Sequence, residues 1–485
     1  MTKDKVLKNI ENIKKNMQQI IKEILKIMSK EEIEKIARDV GFIQRQGKIQ
    51  AWEFLYLCAF SGLDVSKNTL VAMSANLSSK VATEVSTQAI DQRLNDKAVC
   101  FLQEIFTRLL NSASLSDSKI PSAWDEHFDR IRIVDSTAFQ VPKIYKNEYQ
   151  GSGGSSQPAG VKIQLEYELK SGKFIHVDVG PGKGNDNTFG SQIKNTFRPK
   201  DLSLRDLGYF SFKDFEDLES RGAFYVSRLK PNIAVYLENE DVKYHKNGKP
   251  KKSTMYKRID LSDIASKMSE GEILEIKNAL VGRDTKRRER MVIYKLTKNQ
   301  LKERQSKMEK TAKKKGIKKS ENTIKLMGIT IYITNIKSDI LPNNQIHEIY
   351  SLRWQIEIIF KIWKSIFHIS NVKPAKIQRF KCQLYGKLIL LVLSSILMFK
   401  IRAELLEKER IEASEIKSAE IMNQYIQNIY LCFIDRPLNV HELLMSIFKC
   451  IQKNGRKSHQ KGKKTFFDIL GVSYNHQERM CKSAA

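Results

Sequence analysis

Six cysteines among 485 residues, Cys58, Cys100, Cys382, Cys432, Cys450 and Cys481, lie scattered without a single CxxC pair. That spacing argues against a zinc site or a disulfide framework and fits a reducing cytoplasm. Long apolar runs are missing as well. The longest, Leu388 to Phe399, is interrupted by Ser394 and Ser395 and is too short to span a bilayer. The N-terminus, MTKDKVLKNIENIKK, holds acids and no apolar core, so no export signal is read there. The glycine-rich stretch GSGGSSQPAG, Gly151 to Gly160, is followed by neither Gly-Lys-Ser/Thr nor a helix start, which excludes a P-loop and leaves a surface connection. No internal repeat and no long low-complexity linker is present. Negative charge is the scarcest resource: 55 Asp and Glu face 84 Lys and Arg, for a net charge of +29 and a pI near 9.6.

Such an excess is far from the balance of an ordinary metabolic enzyme and points to a polyanionic partner. The cations thicken in places. Lys243 to Arg258 holds seven Lys or Arg and no acid, Lys302 to Lys319 nine against two acids, and Lys453 to Lys464 six against none. One such run is an ordinary solvated face; several on one strongly basic chain favour nucleic acid.

The length suffices for two to four structural units. Residues 1–125 read as helical. Leu7, Ile10, Ile13, Met17, Ile20, Ile24 and Met28 keep a helical period, Ser29 with Glu32 starts a second helix, and Gly41 closes it. Two short helices, Asn68 to Leu77 and Ser86 to Leu94, are spaced as in a helix-turn-helix whose second helix offers Gln88, Asp91, Gln92 and Arg93 to DNA; an ordinary helical hairpin has the same pattern. Residues 126–229 alternate. Strands are expected at Ile131 to Val134, ending in Asp135, at Val161 to Lys170 and at Lys173 to Val179, then a helix capped by Asp186, a strand at Leu202 to Arg205 ending in Asp206, a helix at Phe212 to Glu219 and a strand at Ala223 to Leu229. That order is α/β and is the order of a ribonuclease-H-like core. Residues 230–340 read as a largely β insertion, with strands at Ile233 to Leu237, Ile273 to Val281, Met291 to Leu296 and Ile329 to Ile333. Pro342 opens a helix over 341–372, and 373–485 is again helical, with Lys387 to Ile401 buried.

The stretch Tyr350 to Lys364, YSLRWQIEIIFKIWK, stands out. Wound as one helix, it places Tyr350, Arg353, Glu357 and Lys364 inside an arc of roughly 60°, with Lys361 and His368 beside them. Leu352, Ile356, Ile359, Ile362 and Trp363 lie toward the other side. One carboxylate among several cations suits metal-assisted phosphodiester chemistry, which brings carboxylates together from separate elements. A solvated helix face is the plainer explanation of the same charges.

The spacing Tyr-x2-Arg-x3-Glu-x6-Lys resembles the YREK signature of the insertion-sequence-four family of bacterial DDE transposases, and RWQIEIIFKIWKS is most similar to its Bacillus subgroup. IRIVDST around Asp135 and RDLGYFS around Asp206 are similar to that family's contexts for its two aspartates. The resemblance covers roughly residues 30 to 470 and implies a magnesium-dependent enzyme. Asp135, Asp206 and Glu357 would hold two Mg²⁺ ions, with Mn²⁺ able to substitute. Tyr350, Arg353 and Lys364 would grip phosphate, with Lys361 beside them, and Arg93 would belong to an N-terminal region that recognises the element's ends. The implied reaction is cut-and-paste transposition: hydrolysis at the terminal inverted repeats, a hairpin intermediate, and insertion into target DNA by a homodimer in a synaptic complex. The chain departs from relatives that stack a flipped base on a tryptophan of the insertion. Its four tryptophans are Trp52, Trp124, Trp354 and Trp363, so Tyr236, Tyr256, Tyr294 or Trp354 would have to substitute, or the hairpin step differs. Two other readings stay open on the residues alone: another ribonuclease-H-like nuclease, and an inactive DNA-binding regulator derived from a transposase.

Overall fold

The computed structural model describes residues 3–475 apart from 46, 63, 113–118, 154–155, 231–232, 317–323, 325, 436–439 and 460–462. Parts of the glycine-rich stretch, of the basic runs 302–319 and 453–464, and Cys481 therefore lie outside the described residues. The described strands are β1 (Arg130–Gln140), β2 (Gln150–Gly153), β3 (Gln157–Glu168), β4 (Lys173–Pro181), β5 (Asp201–Arg205), β6 (Phe224–Arg228), β7 (Val235–Glu238), β8 (Tyr256–Arg258), β9 (Ile273–Val281), β10 (Arg287–Lys295) and β11 (Ile329–Thr334). Two compact units result, one of Trp124–Asp135 with Asn185–Trp354, the other of Met1–Ala123, Ser136–Gly184 and Gln355–Ala485.

In the first of these units the strands run in the order β1, β5, β6, β11, β10, β9, β7, β8. The first half of β1 is parallel to β5 and β5 to β6; every later pair is antiparallel. Ile131 to Val134 and all of β5 are buried, as central parallel strands covered on both faces require. Phe215, Tyr225, Met291, Ile293, Ile331 and Ile333 belong to the core that joins the early strands to the later ones. The strands of 230–340 are thus continuous with the sheet. The basic helical stretch is Lys298–Lys315, capped by Thr297 with Gln300. Strand β8 has no alternation of its own to separate it from its lysine-rich surroundings in the sequence.

The other unit is mainly helical. Its centre is Ile377–Glu409, longer than the expected Lys387 to Ile401 and packed against Asp96–Asn111, Tyr56–Phe60 and Glu415–Asp435. By length and composition that helix could cross a membrane, but 78% of its apolar window is buried inside the protein, as in a core helix. Phe60 and Tyr430 stack at 4.2 Å where these helices meet. At the N-terminus, Ser29 accepts from the Glu32 amide at the start of Lys30–Asp39, and Gly41 follows with φ +69°. The short pair is found at Leu70–Val81 and Thr87–Arg93.

Three expectations within residues 126–229 need correction. The glycine-rich stretch is a β-hairpin rather than a plain connection, because β2 pairs antiparallel with β3 across it. The strand through Asp135 does not stop there but continues to Gln140, beside β3. The helix expected to be capped by Asp186 has Asn185 at its cap, whose side chain accepts from the Asn187 amide.

Candidate active site

Side chains alternate along a strand, so β1 and β5 present two different faces. On one face stand Arg130, Arg132, Asp201, Ser203 and Arg205. Asp201 takes Arg130 Nε at 2.6 Å and Arg132 Nη1 at 3.1 Å, and Arg205 reaches Ser203 at 3.0 Å and Asp214 at 3.2 Å. Ser191 also donates to Asp214, so this buried ionic layer ties the helices Asp186–Ile193 and Phe212–Ser220 to the back of the sheet. Arg132 and Arg205 are fully buried, and such charges persist only when paired. Arginines inside the apolar strands RIRIV and LSLR are the sequence signal for this layer, which reasoning from strand alternation alone misses.

On the other face Ile131, Ile133, Leu202 and Leu204 are followed by Asp135 and Asp206. The parallel register pairs Val134 with Arg205. That is the last pair of the ladder, so Asp135 and Asp206 are the residues that immediately follow it on the two chains. Both carboxylates arise where the β1–β5 ladder ends.

The stretch Tyr350 to Lys364 is not one helix. It breaks at Leu352 and Arg353, between Asn343–Ser351 and Trp354–Ser365. The amides of Leu352 and Arg353 bond three residues back, to Ile349 and Tyr350, which tightens the last turn and ends it. Buried Leu352 draws the break inward. Tyr350 is buried and donates its hydroxyl to the carbonyl of Arg205 at 3.2 Å, one residue before Asp206. Burial, with the charge of Asp206 adding to it against Arg353 and Arg228, pushes its phenol up to about 12, so it remains a donor at working pH. Arg353 Nη1 donates to Asp135 at 2.8 Å, and its guanidinium lies over the Trp354 ring at 5.3 Å. Beneath, His347 bonds Tyr332 at 2.7 Å and stacks on Tyr294 at 4.6 Å, which gives Tyr294 an internal partner.

Glu357, Lys361 and Lys364 are on Trp354–Ser365, spaced four and three residues apart on one helical face. Ile356, Phe360, Ile362 and Trp363 bury the opposite side, with Trp363 edge-on to Phe174 at 5.6 Å. Lys364 Nζ donates to the Ala138 carbonyl of β1 at 3.0 Å, and burial pulls its ammonium pKa down. Lys361 is exposed. Past the helix end, Lys387 donates to the carbonyls of His368 and Asn371 at 2.6 and 2.9 Å and faces Asp64 at 3.4 Å. Burial outweighs Asp64 there and lowers the lysine to about 8. Arg93 is engaged internally: it donates to the Phe42 carbonyl at 3.3 Å and lies over the Phe42 ring. Asp91 pairs with Lys376, while Gln88 and Gln92 are exposed.

The structure therefore brings Asp135, Asp206, Tyr350 and Arg353 together in one unit and places Glu357, Lys361 and Lys364 on the helix that follows. Among the described residues, no group of three or more His, Cys, Asp or Glu is close enough to hold a metal ion. The donor set at the ladder end nevertheless fits one: two carboxylates from neighbouring strands are hard oxygen ligands of the kind Mg²⁺ takes.

Residues 126–393 match the family described as Transposase DDE domain. The chain belongs to the DDE transposases. The transposase for insertion sequence element IS231E of Bacillus thuringiensis subsp. finitimus is 42% identical over 96% of this chain and 97% of its own. The IS231B transposase of Bacillus thuringiensis subsp. berliner is 41% identical over the same shares, and the IS1151 transposase of Clostridium perfringens 36% identical over 94% and 96%. Among solved structures, the piggyBac transposase synaptic complex with hairpin DNA covers 91% of this transposase and 86% of its own chain at 10% identity and a TM-score of 0.46, too loose a likeness to argue from.

Proposed function

We propose that this transposase moves an insertion sequence by cutting it out at its terminal inverted repeats and joining it to target DNA, on a ribonuclease-H-like core interrupted by the strands of 230–340. Asp135, Asp206 and Glu357 are the metal-holding carboxylates. The observation that carries this reading is the end of the β1–β5 ladder, which Asp135 and Asp206 directly follow, with Arg353 bonded to Asp135 and Tyr350 to the Arg205 carbonyl. Those carboxylates would hold divalent ions, two Mg²⁺ in this proposal, which when bound would supply neutralisation of phosphate charge, acidity of the attacking hydroxyl and stabilisation of the departing 3′ oxygen.

The remaining work falls to this chain's own side chains. Tyr350 holds the Arg205 carbonyl and with it the backbone that aims Asp206. Arg353 presents a planar fork suited to two phosphate oxygens, and Lys361 and Lys364 act as point charges. Two ends must be cut, so two copies of the chain meet on DNA, in the cytoplasm. The N-terminal helices Leu70–Val81 and Thr87–Arg93 read the terminal repeats. A hairpin formed by the freed 3′-OH on the opposite strand precedes insertion, with Tyr236 or Tyr256 of the 230–340 strands in place of the missing tryptophan.

The test is excision from a plasmid that carries the gene with its native flanks, using purified protein with Mg²⁺, beside Asp206→Asn and Glu357→Ala. The expected result is excision by the wild type and a loss of at least 100-fold in both variants at unchanged end binding, with hairpin ends on denaturing gels. Equal cutting by Glu357→Ala would remove that residue from the site. Binding without cutting by all three proteins would favour the regulator.

A further inference from the structure

The run Lys243 to Arg258 folds as an exposed two-stranded ribbon at the edge of the sheet. Strand β7 pairs with β8, the last strand in the order, through Tyr236–Arg258, Leu237–Lys257 and Glu238–Tyr256. Beyond that pairing the chain doubles back again. Tyr244 bridges Pro250, the Lys251 amide bonds the Lys243 carbonyl at 2.7 Å and the His245 amide bonds Lys249 at 2.8 Å. Gly248, at φ +74° with no atom within 4 Å of its missing side chain, closes the tip in open solvent.

Seven cations stand on this ribbon: Lys243, Lys246, Lys249, Lys251, Lys252, Lys257 and Arg258, with no acid from 243 to 258. None of the seven makes an ion pair among the described residues, whereas cations close by do: Arg288 with Glu238 at 2.6 Å, Lys267 with Asp263 at 2.7 Å and Lys298 with Glu270 at 3.2 Å. Tyr244 is 62% exposed between Lys243 and Lys246. At the base, Lys286 lies over the rings of both Tyr236 and Tyr256, at 5.4 and 5.1 Å, and adds an eighth positive charge.

Lysines on an edge strand also prevent edge-to-edge aggregation. That service is indifferent to sign, and acids would supply it equally well. Seven positive charges over 243–258, none in an ion pair among the described residues, outnumber the three acids of the adjoining strand and turn, Glu238, Glu240 and Asp241, and match a polyanion. A two-stranded ribbon fits the major groove of duplex DNA, about 12 Å wide, with its flanking lysines at the phosphates of either strand.

We propose that the basic hairpin Lys243–Lys252 is a second DNA-docking surface of this transposase, distinct from the residues that cut, and that it grips duplex DNA by its phosphates without regard to sequence. The proposal rests on duplex DNA being the substrate, but not on the assignment of the three carboxylates. Its test is equilibrium binding of the full-length protein to a 30-base-pair duplex of random sequence, without metal, from 50 to 300 mM salt. The expected result for Lys243→Gln/Lys246→Gln/Lys249→Gln/Lys252→Gln is an affinity lower by at least 10-fold at 100 mM salt. The slope of log affinity against log salt falls by roughly 3 to 4, about 0.9 for each phosphate that is no longer neutralised. The same four sites as Glu weaken binding further, and as Arg leave affinity and slope at the wild-type level. The assay contains no metal and reads no cutting, so a failed active-site assignment leaves this readout intact. Unchanged slope in the Gln and Glu variants, loss of binding in the Arg variant, or preference for single-stranded RNA over the duplex would each overturn the proposal.

Discussion

Arg353 reaches Asp135 from a turn, not from a helix face, and that turn is what lets Tyr350 and Arg353 serve the same two strands from one side. Side chains with no part in the chemistry are under comparable constraint. Glu412 is buried beside Lys457, Glu415, Arg402, Thr465 and Tyr474, with His459 Nε2 at 3.7 Å. Burial raises its carboxyl to about 7, opposed by Lys457 and reinforced by Glu415. Glu415, though burial opposes it, is held down to about 2 by Arg402 and Lys457 at 2.5 and 2.7 Å. Between pH 4.5 and 7 the folded state therefore binds the Glu412 proton more tightly than the unfolded chain does. This group's stabilisation is full below pH 4.5 and is lost as pH rises to 7. Glu412→Gln should melt as the wild type does near pH 4.5 and above it at pH 8, by up to about 3 kcal/mol. Thermal melts across that range check this; a constant offset would place the cause elsewhere.

At the scale of elements, the long helix Ile377–Glu409 approaches the segment Tyr56–Phe60 so closely that only glycine fits at their crossing. A methyl group at Gly386 would stand 2.1 Å from the Cys58 carbonyl oxygen and 3.2 Å from the Ala59 amide nitrogen, both backbone atoms that cannot swing away. Gly386→Ala should destabilise the protein by roughly 1–3 kcal/mol despite alanine's better helix propensity. A denaturant midpoint at or above the wild-type value would disprove the close crossing. This approach is invisible in the sequence, where Gly386 is one residue in an apolar run. The elements themselves are largely legible. Alternation in IRIV and LSLR locates β1 and β5, and the Ser29 cap locates its helix, because these signals are local. The break at Leu352 is not, since the apolar spacing of Tyr350 to Lys364 is that of an unbroken helix and only burial of Leu352 turns the chain.

For the whole molecule, the net charge of +29 suits the protein to DNA, and the proposed two-ended reaction calls for two copies. A plasmid bearing one terminal repeat should be cut at least 10-fold more slowly than one bearing two. The complex on end DNA should contain two 56.0 kDa chains by light scattering. Equal rates on one-ended and two-ended plasmids would mean that each copy cuts alone.

By itself the sequence determined the charge and most strands and helices, though not β2, β8 or the break at Leu352, because local periodicity carries them; its resemblance to the family named the residues proposed for the chemistry. Tertiary structure alone decided that the β1–β5 ladder ends directly before Asp135 and Asp206 and that Tyr350 bonds the backbone before Asp206. It also decided that Arg93 is bound to Phe42 and that seven cations over 243–258 make no ion pair among the described residues. Strand register and charge pairing join residues far apart in the chain, and no pattern within a short window contains them.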